Sequence, residues 1–174
     1  RNPNHYFVTS FGTGLFEFDH DTLVRQHLPG EDNTIVAIIE SNPKQYTRLD
    51  CAIYDKDNNL WFIDACKLSQ LQCLDASGEW HSITLSLDGN LFGVYTPCAL
   101  FIDKFNPNYK WFGTARENTC VCLYDDNGTP FDDTDDRFVH RDSWVNQDGQ
   151  TFKPNNIYNM LQDTQGRVWI CTDL

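Results

Sequence analysis

No stretch of the 174-residue chain approaches the roughly 18 consecutive apolar residues that a membrane-spanning helix needs. No segment keeps a sustained helical period, which leaves short apolar runs bounded by turn residues. Basic residues are scarce: 13 Lys and Arg stand against 25 Asp and Glu, for a net charge of −12. Nucleic-acid binding draws its affinity from cationic neutralisation of phosphates, so this balance argues against it. The seven cysteines form an odd set without a CxxC pair, which disfavours zinc ribbons and a complete disulfide framework. Most of them fall in expected strands, where a thiol serves as a small apolar group. The five histidines make no HxH or HExxH pattern, and neither a Gly-x-Ser-x-Gly elbow nor a phosphate-binding loop is present.

What is abundant is aromatic residues, 14% of the chain, in short segments punctuated by Asp, Asn and Gly. That composition favours strands. One phrase recurs: an acidic turn followed by a strand with tryptophan. It reads Asp55-Lys-Asp-Asn-Asn-Leu-Trp61-Phe-Ile-Asp64 and Asp163-Thr-Gln-Gly-Arg-Val-Trp169-Ile-Cys-Thr172, with the aspartate preceding the tryptophan by six positions in both. A third copy, Asp103 to Thr114 with Trp111, carries two extra turn residues, and a fourth, His5 to Thr9, has Tyr6 in the tryptophan position. A second five-residue stretch ending in aspartate follows three of these anchors: Leu15 to Asp19, Leu71 to Asp75 and Val121 to Asp125. The anchors are spaced by 55, 50 and 58 residues, the signature of an array of structural repeats.

Four short antiparallel strands in about fifty residues make one β-propeller blade. The expected fold is therefore all-β, a fragment of about three blades of a larger propeller. The units are a partial blade over residues 5–48, a blade over 49–96, a blade with an acidic loop insertion over 97–155, and the start of a further blade over 156–174. Within the first, Thr34 to Ile39 is apolar enough for a strand or one helical turn. The chain starts and stops next to strands, as a piece of a longer protein would, and a fragment with open blade faces is expected to self-associate.

The motif Asp-x-x-Gly-x-x-Trp-Ile-x-Thr at Asp163 to Thr172 resembles the two-component regulator propeller repeat, found in sensor regions of hybrid histidine kinases of the Bacteroidetes. Leu60-Trp61 after Asp55, Asp75-Ala-Ser-Gly-Glu-Trp80, Asp125-Asp-Asn-Gly-Thr-Pro130 with Asp135-Asp136-Arg137, Gln147-Asp-Gly149 and Ile157-Tyr158 resemble the propeller proteins of the type IX (Por) secretion system. That resemblance implies a noncatalytic module in the periplasm or at the outer cell surface. It would have a protein partner and a role in attaching cargo to anionic lipopolysaccharide. The alternative it leaves is the ligand-sensing propeller of a hybrid two-component histidine kinase, which would bind an oligosaccharide. The sequence departs from the repeat at Asp64, where threonine is usual, and at Tyr6, where tryptophan is.

Candidate site residues divide into three groups. The loop from Asp125 to Asp136 holds six aspartates and one asparagine. Its density of hard oxygen ligands makes Asp125, Asn127, Asp132, Asp133 and Asp135 the candidates for calcium, although the spacing is not that of an EF-hand and a solvated loop is the plainer reading. Trp80 and Trp144 lie outside the repeat position and are candidates for exposed contacts with a glycan or protein partner. Asp55, Asp103 and Asp163 recur at equivalent places with Trp61, Trp111 and Trp169. Their expected work is structural, the aspartates accepting turn N–H groups and the tryptophans packing between blades. A catalytic role is not expected: repeated turn carboxylates do not converge as an acid and base must. His140, Asp142 and Ser143 are neighbours in sequence, but adjacent strand residues face opposite ways.

Overall fold

The computed structural model describes residues 2–39, 41–42, 44–66, 70–87, 90–91, 96–116 and 118–173. Every regular element among them is a β-strand. The chain divides into two compact units, Arg1–Thr84 and Leu85–Leu174.

In the first unit, β1 (His5–Ser10), β2 (Gly14–Asp19) and β3 (Thr22–His27) form a three-stranded antiparallel meander. Next come β4 (Leu49–Tyr54), β5 (Leu60–Asp64), β6 (Leu71–Leu74) and β7 (Trp80–Ile83), a four-stranded antiparallel sheet in sequence order. The sheets are joined by apolar packing: Leu15 of the first meets Ile35, Leu49, Leu60 and Phe62, with Phe7, Tyr54 and Trp80 around them. All five residues of β5 are buried, so this strand is covered on both faces and reads as a continuous apolar run closed by Asp64.

The segment Thr34 to Ile39 is neither strand nor helix. Ile35 supplies the core, and the Val36 N–H is taken by the Asp64 carboxylate at 2.9 Å. A side-chain acceptor here removes the need for a ladder partner, which periodicity could not show. The same hydrogen bond accounts for Asp64 at a threonine position. Thr114 uses its hydroxyl to receive one backbone donor, Cys120 N, whereas the two oxygens of Asp64 receive Val36 N and Cys66 N.

The second unit opens with a short hairpin, β8 (Ser86–Leu87) and β9 (Asn90–Leu91). A four-stranded sheet follows, of β10 (Pro97–Ile102), β11 (Tyr109–Thr114), β12 (Val121–Asp125) and β13 (Arg137–Arg141), again in sequence order. A second hairpin, β14 (Trp144–Val145) and β15 (Thr151–Phe152), leads to the pair β16 (Ile157–Gln162) and β17 (Val168–Thr172). The four-stranded sheet and the last pair share a core of Val121, Ile157 and Met160 with Trp111, Trp144 and Ile170 packed on it. Contact is closest at Gly113: a Cβ there would stand 2.6 Å from Ile157 Cγ2, so the strand crosses only because this residue has no side chain.

The opening strands of the two four-stranded sheets and of the last pair are interrupted in the same place. Register shifts fall between Asp50 and Ile53, between Cys98 and Phe101, and between Ile157 and Asn159. Cys51 and Ala99 take positive φ there, at 53° and 58°, the kink of a β-bulge that bends one strand of a ladder. Cysteine and alanine do not advertise that conformation in a sequence.

Candidate functional site

The repeated aspartates each sit at the centre of a fan of donors. Asp55 Oδ1 accepts Asp57 N and Asn59 N, both at 2.9 Å, while Oδ2 accepts Asn59 Nδ2 at 2.8 Å and the indole Trp61 Nε1 at 2.9 Å. Asp163 repeats the pattern with Gln165 N, Arg167 N, Arg167 Nε and Trp169 Nε1. Asp103 takes Phe105 N, Asn106 N, Trp111 Nε1 and, from the neighbouring pair, Gln162 Nε2 at 2.8 Å. The six-residue spacing thus has a cause: a turn of this length brings the indole N–H back onto the free oxygen of its own aspartate.

Hydrogen bonding to the charged form lowers a carboxyl pKa. The Trp169 indole, with further donors from Arg167 and Gln165, holds Asp163 well below the ordinary carboxylate range. Burial pushes Asp103 upward, but its backbone, indole and amide donors outweigh this and leave it lowered. These carboxylates are tied into turns and have no proton to give near neutral pH.

Sequence reasoning missed a fourth instance. Asp75 accepts Ser77 N, Glu79 N and, six residues on, His81 Nε2 at 2.9 Å, so histidine stands where the other copies have tryptophan. The spacing from Asp75 to His81 was the available signal, hidden because the eye follows tryptophan.

The tryptophans do not share one fate. Trp61 is fully buried and Trp111 packs against the second unit's core, but Trp169 is 54% exposed, contrary to the expectation of packing between blades. Its β17 is an edge strand, with a partner on one side only. Trp80, expected as an exposed anchor, is instead half-buried, with its ring 5.2 Å from His27 and 6.0 Å from Phe62. Trp144 stacks on Phe152 at 6.1 Å and lines two adjoining grooves of about 450 and 480 Å³ in the second unit. The walls are mainly apolar, from Trp111, Leu123, Val139, Val168 and Ile170.

A third groove, about 470 Å³, lies in the first unit between His5, Phe7, Glu17, Tyr54 and the Asp75 turn. Glu17 is shared there by two imidazoles, His5 Nε2 at 2.8 Å and His27 Nε2 at 2.9 Å. Burial raises its pKa, the two histidine hydrogen bonds more than offset that, and the carboxyl is left lowered. None of these residues stands out in the sequence, since the meander brings them together across strands.

The acidic loop is held by its own contacts. Asp135 accepts Asn127 Nδ2 at 2.7 Å and Thr129 Oγ1 at 2.8 Å, and Asp132 accepts Thr134 Oγ1 at 2.7 Å. No three of Asp125, Asp132, Asp133 and Asp135 present oxygens within 4.8 Å of one another, so the structure does not gather the calcium candidates into a cage. The neighbouring aspartates are occupied: Asp126 pairs with the buried Lys110 ammonium, and Asp136 accepts the Tyr124 hydroxyl at 2.6 Å. Asp142 is held by Lys153 at 2.7 Å and by Ser143. Cys73, Cys120 and Cys122 are buried thiols, the last two in contact at 3.5 Å, and burial together with Asp64 pushes Cys66 up to about 12.

The family described as two component regulator propeller matches residues 151–173, which span the clasp of Asp163 and Trp169. Over these residues the chain is similar to a two-component regulator propeller repeat. Its structure is similar to that of PorZ, an essential bacterial surface component of the type IX secretion system of Porphyromonas gingivalis. The likeness has a TM-score of 0.79 at 27% identity, over 99% of this chain. The chain spans 22% of the length of PorZ. No curated protein matches the sequence. The propeller repeat therefore extends, as clasp and four-stranded sheet, well beyond the segment that the family description matches.

Proposed function

We propose that this chain is a noncatalytic, extracytoplasmic propeller segment that docks a protein partner of a type IX secretion assembly, in the service of attaching cargo to anionic lipopolysaccharide. The observation that carries this reading is the likeness to PorZ over nearly the whole chain. Two features support it. The carboxylates best placed by sequence to act as acid or base are saturated by turn donors. The groove around Trp144 is mainly apolar, and aromatic anchors in such pockets dominate protein recognition.

Charge narrows the contact. A chain at −12 repels a polyanionic glycolipid, so the partner is a protein surface or an uncharged sugar ring stacked on Trp144, with the glycolipid handled elsewhere in the assembly. The apolar grooves of the second unit, if uncovered, would also drive self-association of the isolated chain.

The test is Trp144→Arg in the complete protein, in the bacterium that encodes it, scored by cargo retained on the cell surface. Loss of surface cargo with normal protein levels is expected. Undiminished attachment would overturn the docking role. The repeat match at residues 151–173 supports a second reading, the sensing propeller of a hybrid histidine kinase. That reading expects an oligosaccharide-dependent transcriptional response abolished by the same substitution.

A further inference from the structure

The clasp built on Asp75 gains one donor on Oδ1, the Ser77 hydroxyl at 2.7 Å, and differs from the Asp55 and Asp163 clasps at the two positions that face Oδ2. In the Asp55 and Asp163 copies, the residue four positions on is a donor: Asn59 Nδ2 and Arg167 Nε each give a hydrogen to the aspartate Oδ2. The residue six positions on is tryptophan, whose indole nitrogen can only donate. In the Asp75 copy these positions hold Glu79 and His81. Glu79 cannot donate when ionised and brings a second negative charge, whereas the His81 nitrogen can offer a lone pair. One ligand atom from each of Asp75, Glu79 and His81 lies within 4.8 Å of the others. On the Oδ2 side an obligate donor has been replaced by an imidazole that can take either role, with a second carboxylate beside it, a change that a bound cation would compensate.

We propose that Asp75, Glu79 and His81 form a binding site for a divalent transition-metal ion of the zinc class. Imidazole with two carboxylates suits zinc better than calcium or magnesium, which take oxygen ligands. Zinc bonds of about 2.0–2.1 Å in a tetrahedron place ligand atoms about 3.3 Å apart. His81 Nε2 and Asp75 Oδ2 already stand at 2.9 Å, so little movement admits the ion. The scaffold is stiff where it must be: Asp75 Oδ1 is fixed by Ser77 N and Glu79 N, leaving Oδ2 for the metal. Glu79 is exposed and swings in from the turn, and the fourth position stays open to water.

The test is calorimetric titration of the full chain with zinc, with cobalt(II) absorption as a reporter of ligand type. It is performed on a Cys51→Ser, Cys66→Ser, Cys98→Ser, Cys171→Ser background that removes the thiols that are not buried. One equivalent should bind, with a cobalt spectrum free of thiolate charge-transfer bands. His81→Trp restores the repeat's own residue and its hydrogen bond to Asp75, so it keeps the fold while reducing zinc affinity at least tenfold. Glu79→Gln, at an exposed position, should weaken binding similarly and decides the matter if His81→Trp misfolds. Absence of saturable binding, binding indifferent to both substitutions, or tighter binding of calcium than of zinc would each overturn the proposal.

Discussion

Asp55 and Asp163 make the same four kinds of hydrogen bond, yet removing them should have unequal consequences. In Asp55→Ala the indole N–H of fully buried Trp61 and the side-chain amide of buried Asn59 lose their acceptor. A buried donor left unpaired costs about 1–3 kcal/mol, and the two turn N–H groups add less because water reaches them. The sum is about 3 kcal/mol. For a unit of this size, with about 4–8 °C lost per kcal/mol, the first unit should melt roughly 12–24 °C lower. In Asp163→Ala the orphaned indole belongs to Trp169, which is 54% exposed and can turn to water. Its loss should be clearly smaller. Hydrogen–deuterium exchange through a urea series, read separately on peptides covering 55–64 and 163–172, reports each unit. Asp55→Asn, which keeps one acceptor oxygen, should fall between wild type and Asp55→Ala. Equal losses at Asp55 and Asp163 would refute the premise that burial of the indole, rather than the turn itself, sets the energy.

Three further outcomes are expected. Lys110→Met or Asp126→Asn alone should destabilise the second unit by roughly 3–5 kcal/mol, because each strands or weakens its partner in a buried ion pair, whereas Lys110→Met with Asp126→Leu should cost less than either in chemical denaturation. Gly113→Ala should cost about 1–3 kcal/mol in the same assay, since its Cβ meets Ile157 and Met160 across a packed contact. The Asp103 carboxyl is lowered on folding, so its contribution is complete above the ordinary aspartate pKa of about 4 and is lost as pH falls through its folded value. Thermal melts between neutral pH and about pH 2.5 should therefore steepen at the acid end, and Asp103→Asn should flatten that limb; an unchanged acid limb would show that other carboxylates govern it.

The repeat made much of the fold legible. Fixed spacing from aspartate to tryptophan located the strands that contain Trp61, Trp111 and Trp169, and the five-residue stretches ending in Asp19, Asp75 and Asp125 located their neighbours. What stayed hidden depended on partners distant in sequence or on backbone geometry that ordinary residues can hide. The role of Val36 depends on Asp64, 28 residues away, and the bulges rest on the φ angles of Cys51 and Ala99. The hairpin of Trp144 and Phe152 was obscured because two-residue strands carry no period. The cluster of His5, Glu17 and His27 was invisible for a related reason: its members come from three strands whose alternation is otherwise that of any meander.

The aspartate clasp also bears on how the chain reaches its structure. Every bond from Asp55 to its turn and to Trp61 spans six residues or fewer, so closing it costs little loop entropy and requires no other sheet to be in place. Such contacts of low sequence separation form quickly, and the Asp55 clasp is expected to act as a local nucleus on which its own hairpin zips. Contacts between sheets, such as Leu15 with Phe62, then come late. A folding-rate measurement should accordingly find that Asp55→Ala slows refolding, whereas Leu15→Ala mainly hastens unfolding.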